Sequence, residues 1–188
     1  MKKLTLLLLF VLNTSMLFAQ KTDTVKKWVD GVMIKSTDNI VESISQIKDL
    51  SKFDTLLKYS GLADTIKIKG PVTIFAPDNK ALTSSTGIFY DSLCTPAHKW
   101  QLANVLKCYI VQGRFTSVDI LKLIRKGNGH TELMTLAGPI TARIDTNRNI
   151  VLMDMNHEES VISKFDIRQK DGILDIVTAI LFPLKQPG

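Results

Sequence analysis

The sequence predicts an α+β domain, because helical and strand periodicities occupy different halves of the chain. Apolar residues recur at helical spacing between Asp38 and Gly61 and again from Pro96 to Ile124, whereas beyond residue 130 they alternate, or run in short stretches broken by polar turns. One buried strand interrupts the helical half. Val72-Thr73-Ile74-Phe75 is β-branched or aromatic throughout and stands between Pro71 and Pro77, which limit its extension. Helices gathered ahead of strands, instead of alternating with them, imply a small sandwich-like sheet with helices packed along it.

The chain of 188 residues is long enough for one domain with a full core, and 45% hydrophobic with 22% charged content is ordinary for a globular protein. Its start is different. Met1-Lys2-Lys3 precedes the apolar run Leu4 to Leu12, and Leu17-Phe18-Ala19 before Gln20 supplies a cleavage site, which reads as a secretory signal over 1–19. The run is broken by Asn13, Thr14 and Ser15, and it falls short of the roughly 20 apolar residues of a membrane span. A mature chain starting near Gln20 is therefore expected, secreted or periplasmic and without a membrane span. Basic residues still exceed acidic ones by four after this removal, but they are dispersed and not interleaved with aromatics. That pattern excludes a nucleic-acid partner and leaves acidic polysaccharide or anionic surfaces open.

Residues 20–36 are polar around Trp28-Val29 and Val32-Met33-Ile34 and read as an irregular N-terminal extension. From there the domain is expected over 37–185. Ile40, Val41, Ile44 and Ile47 form the buried stripe of a first helix with Asp38 as its cap; Phe53, Leu56 and Leu57 form that of a second, stopped by Gly61. After the buried strand, Asp78 is placed to cap a helix beginning at Asn79. A looser stretch anchored by Ile88, Phe89 and Tyr90 leads to Thr95-Pro96, a helix start whose stripe reads Trp100, Ala103, Leu106. Tyr109-Ile110-Val111 is a short strand. Ser117 opens an apolar-rich helix that Gly127-Asn128-Gly129 ends. Strands follow at 132–136, at Ile140, Ala142 and Ile144, at 150–153 and at 173–177, with turns at Ala137-Gly138-Pro139, at 145–149 and at Asp171-Gly172.

Thr73-Ile74-Phe75-Ala76-Pro77 closely resembles the first signature motif of the fasciclin domain family, a threonine, valine, phenylalanine, alanine, proline run before a polar helix start. Gly61-Leu62-Ala63-Asp64-Thr65 resembles the family's connection after the second helix, and Thr135-Leu136-Ala137-Gly138 its threonine, leucine, one residue, glycine element. Two other motifs depart from the pattern. Cys108 stands at the family's tyrosine, Tyr109 at its histidine, Gln112 at its proline, and in the last motif Asp171 replaces asparagine, Asp175 histidine and Thr178 aspartate. The resemblance spans 38–184 without internal repeat and implies a single-domain, secreted, bacterial-type member. It implies two readings of function: an adhesion or binding module for protein or polysaccharide at the cell surface or in the extracellular matrix, or a carrier of a small apolar ligand between helices and sheet. In the first reading, loops 78–83, 112–115 and 154–159 carry the contacts.

Local chemistry motifs are missing. The chain has no Gly-x-Ser-x-Gly elbow, no phosphate-binding glycine loop followed by lysine, and no His-Glu-x-x-His pair. His98, His130 and His157 are isolated in sequence; Asp154, His157, Glu158 and Glu159 share a loop but lack the spacing of a calcium loop. The expectation is no catalytic, cofactor-binding or metal-binding residue, no cofactor and no enzyme activity. Two further expectations can be tested by structure. Alternation puts Asp175 on one face with Ile173 and Val177, so either its carboxylate finds a donor near Tyr109 or from a lysine, or that face is an exposed edge. Cys94 and Cys108 are separated by a predicted helix of about 18 Å, too far for the roughly 7 Å Cα separation of a disulfide, so both are expected to be free thiols.

Overall fold

The computed structural model describes residues 24–84 and 94–183; the signal segment 1–19, the Ile88-Phe89-Tyr90 anchors and Leu184 lie outside them. The chain opens with a hairpin of β1 (Lys26–Val29) and β2 (Val32–Lys35). The irregular extension expected here is thus ordered. Its turn is Asp30-Gly31, both at positive φ (49° and 80°), which is the Asp-Gly pair that a two-residue hairpin turn selects because its twist matches that of the flanking strands. Val29 and Ile34 point into the core, while Lys26, Trp28, Met33 and Lys35 line the outer face.

Helix α1 (Ile40–Gln46) is capped by Asn39, not Asp38: the Asn39 Oδ1 accepts from the Glu42 N–H at 2.9 Å, and Glu42 reaches back to the Asn39 N–H. A 3-10 turn (Lys48–Leu50) leads into α2 (Ser51–Ser60), which buries Phe53, Leu56 and Leu57 and stops at left-handed Gly61. The segment after it, expected as a connection, continues as α3 (Leu62–Lys69). Strand β3 (Val72–Pro77) is buried along its whole length, as a strand covered on both faces must be. Asp78 then caps α4 (Asn79–Ser84), its Oδ1 accepting from the Ala81 N–H at 2.6 Å.

A 3-10 turn (Pro96–His98) precedes α5 (Lys99–Lys107). Its buried stripe is Leu102 and Leu106; Trp100, expected inward, is 71% exposed. An interval of three fitted Trp100-Ala103-Leu106, but Leu102 and Leu106, four apart, lie closer to one helical face. After β4 (Ile110–Gln112), α6 (Ser117–Lys126) is capped by Thr116 in a reciprocal box with Asp119. The remaining strands are β5 (His130–Thr135), β6 (Gly138–Ile144), β7 (Ile150–Met153), β8 (Glu159–Gln169) and β9 (Gly172–Val177).

The architecture is α+β, and the sheet goes further than a sandwich. Strands β3 to β9 form a seven-stranded wrap closed by parallel pairing of β3 with β9, from Val72 opposite Gly172 to Pro77 opposite Val177. Every other pairing is antiparallel. The helices of the first half pack against this wrap: Phe53 of α2 meets Tyr109, just ahead of β4, edge to face, ring centroids 5.9 Å apart at 77°. Gly172 explains how β9 can approach so closely. A Cβ there would lie 1.8 Å from the Val72 carbonyl oxygen and 2.7 Å from Ile40 Cδ1.

Candidate functional site

The register divides the wrap into two ends. At the Val177 end lie α4 and the loop after β7, because Pro77 pairs with Val177 and Met153 with Glu159 beyond the Ile162–Val177 pair. At the Gly172 end lies the turn after β4, since Gln112 pairs with Val72. The three loops expected to carry contacts are therefore not brought together: 78–83 and 154–159 share one end, and 112–115 occupies the other.

At the Val177 end the polar groups turn inward. Tyr109, at the position of the family's histidine, is 1% exposed, and its hydroxyl donates to the Leu181 carbonyl at 3.0 Å while accepting from the Leu181 N–H at 2.7 Å. Burial pushes the phenol far above its ordinary range. Asp154 belongs to a loop expected to carry contacts and is buried instead, at 3% exposure. Its Oδ1 accepts from the Asn156 and Glu158 N–H groups at 2.7 and 3.0 Å, and its Oδ2 from the Phe182 N–H at 2.7 Å. A carboxylate holding several backbone N–H groups shapes the loop and ties the C-terminal segment to it. Cys108 lies nearby, its thiol pushed up to about 12 by burial and then by Asp154. Cys94 and Cys108 are not joined in a disulfide, as the intervening helix requires.

Asp175 resolves the alternative left open by alternation. It is fully buried, so the face is no exposed edge. Its donor is neither near Tyr109 nor a lysine: Oδ1 accepts from the backbone N–H of Asp166 at 2.7 Å, and Oδ2 has no hydrogen-bond partner among the described residues. Asp166 has φ +55° within the irregular stretch of β8 between Lys164 and Ile167, which turns its N–H inward. Burial raises the Asp175 carboxyl to about 7, against the Asp166 bond and the Lys27 charge, which lower it. Lys27 of the hairpin donates to the Phe165 carbonyl of the same bulge, and Lys164 pairs with Asp30 at 2.7 Å. The Asp166 carboxylate is held by the Ser117 N–H and hydroxyl at 2.7 and 2.6 Å.

At the Gly172 end, Arg114 fastens the β8–β9 turn by donating to the carbonyls of Gln169 at 2.8 Å, Gly172 at 3.3 Å and Lys170. Beside it an open groove of about 310 Å³ runs past Lys67, Ile68, Pro71 and Lys170. Its one acid, Asp171, accepts from the Ile40 N–H at 2.9 Å and so serves the start of α1. The histidines stay apart: His98 bonds Thr95 Oγ1 at 2.7 Å, His130 starts β5, and His157 sits in a turn at φ +66°. Among the described residues no three His, Cys, Asp or Glu side chains gather as a metal site.

Comparison with known proteins agrees with this geometry. The Fasciclin domain model matches residues 48–183. Protein sll1483 of Synechocystis sp. is 25% identical over 149 residues, 79% of this chain and 75% of its own. Human Stabilin-1 is 26% identical over 144 residues, 77% of this chain but 5% of its own length. A solved structure of a FAS1 domain pair from the insect cell adhesion molecule fasciclin I superimposes with a TM-score of 0.68 at 15% identity, over 85% of this chain and 57% of that one. No helix among the described residues is long and apolar enough to cross a membrane. With β3 carrying the Thr73-to-Pro77 motif at the closure of the wrap, and the family model spanning most of the chain, this protein belongs to the fasciclin domain family.

Proposed function

We propose that this protein is a secreted or periplasmic, non-enzymatic binding module that adheres to protein or polysaccharide at a cell surface or in the extracellular matrix. The observation that carries the reading is the direction of its polar groups. Tyr109, Asp154 and Asp175, which stand in or beside the degraded motifs, are buried and engaged by backbone within the fold. An enzyme needs its acid or base presented to a substrate, and these groups hold chain segments together instead. In this reading the leader is 1–19, the extension 20–36 and the domain 37–185, with no catalytic, cofactor or metal residue. The carrier alternative has less support, since Phe53, Phe75 and Tyr109 fill space between helices and sheet. Insect fasciclin I, whose domain pair shares this fold, is a cell adhesion molecule, which supports the extracellular role.

The test is attachment. The purified chain, immobilised, retains envelope or matrix material from the producing cells, and N-terminal sequencing of exported protein reads a start at or near Gln20. Failure to retain anything, together with a co-purified small molecule in native mass spectrometry, would replace this reading with the carrier.

A further inference from the structure

The outer face of the N-terminal hairpin presents apolar and basic side chains side by side to solvent. Register sets Trp28 directly opposite Met33 and Lys26 directly opposite Lys35. Trp28 is 70% exposed and Met33 37%. Alternation puts both pairs on one face, one row behind the other, with residues two apart on a strand separated by roughly 6.6 Å. Like charges placed directly opposite on a sheet repel and weaken it. Nothing in the hairpin neutralises them, because its acid, Asp30, is taken by Lys164 at 2.7 Å. Lys27 is also occupied, donating to Phe165 on the inner side. The hairpin thus holds a flat indole and a thioether beside two adjacent ammonium groups, in an arrangement that an anion between the lysines would stabilise.

We infer that this face binds an acidic polysaccharide, one sugar ring lying on Trp28 and Met33 with its carboxylate between Lys26 and Lys35. The inference rests on the extracellular-binding reading and names its surface and substrate class. A uronate carries its carboxylate directly on the ring, closer than the row spacing, and the flexible four-carbon stems of Lys26 and Lys35 let both ammonium groups lean toward it. An anionic lipid surface fits less well. Seating Trp28 among acyl chains would draw both ammonium groups, on the same face and one row away, toward the apolar boundary. Charge complementarity also requires that attraction weaken with salt, since these lysines are exposed.

Affinity electrophoresis of the purified chain through polygalacturonate, with neutral dextran and phosphatidylglycerol vesicles as parallel probes, tests this. Polygalacturonate retards the protein at low salt and dextran does not. Trp28→Ala and the double variant Lys26→Gln/Lys35→Gln each weaken binding at least tenfold with unchanged circular dichroism, while Trp100→Ala, at the other exposed tryptophan, binds as before. Equal binding by Trp28→Ala, no retardation, or capture by vesicles without polygalacturonate would overturn it. Cell attachment separates the two claims. Attachment without polymer binding removes this surface and leaves the adhesion reading, whereas polymer binding without attachment does the reverse.

Discussion

Asp175 holds a carboxyl in a place where, among the described residues, one of its two oxygens has a donor. Its pKa is raised to about 7 in the fold, chiefly by burial, against about 3.9 in an unfolded chain. Between those values the native state binds a proton that the unfolded state has released, so the stability contributed by this group is full below about pH 4 and is lost as pH rises to about 7. Urea midpoints are therefore expected to fall from pH 5 to pH 8, and Asp175→Asn, which keeps the acceptor for Asp166, should flatten that decline. Asp175→Ala is expected to destabilise by about 1–3 kcal/mol at pH 5, because the inward Asp166 N–H loses its partner. The cysteines differ in the same physical terms. In denaturant without reductant both react with a thiol reagent; in the native protein Cys108 should be silent, since its thiolate is disfavoured up to about pH 12. A disulfide-linked species with no reactive thiol would contradict the thiol state of both.

Among the elements, β9 depends on Gly172 and α6 on Thr116. Gly172→Ala would drive a methyl group into the Val72 carbonyl, a backbone atom that cannot swing aside, and should cost more than about 2 kcal/mol in a chemical melt. Thr116→Ala removes a cap whose hydroxyl accepts from the Asp119 N–H at 3.2 Å, for an expected loss of about 0.5–2 kcal/mol. How far each element can be read from sequence follows from how local its cause is. Asp78, Gly61 and the Gly127 stop act on neighbours within a few residues, and the pattern around them identifies them. The hairpin was equally local, since Asp30-Gly31 between apolar pairs is a strong turn signal, yet the polar surroundings of 20–36 masked it. Asp154 is mixed: its Oδ1 bonds to Asn156 and Glu158 are local, but its Oδ2 is held by the Phe182 N–H, 28 residues on, and no local pattern encodes that. The same holds for Asp175, whose burial follows from alternation but whose donor depends on a distant bulge. The hairpin face of Trp28 and Lys35 emerges only once the register pairs its rows.

For the whole molecule, the Tyr109 hydroxyl links the end of α5 to the C-terminal segment, and its loss should be felt across that distance. Tyr109→Phe leaves the Leu181 N–H and carbonyl without their partner, a cost of about 1–3 kcal/mol. Hydrogen exchange should then rise at Leu181 ahead of β3; uniform exchange across both would mean that the seam is not held there. Closure of β3 on β9 has a separate consequence for life at high concentration. A ring of strands offers no terminal ladder onto which another molecule can add, so the large sheet is protected from fibril-like growth by its topology. The two-stranded hairpin has no such protection. Its lysine-rich strands discourage a second hairpin from docking there by charge alone, and a polyanion that neutralised them would also remove the repulsion that keeps neighbouring molecules apart.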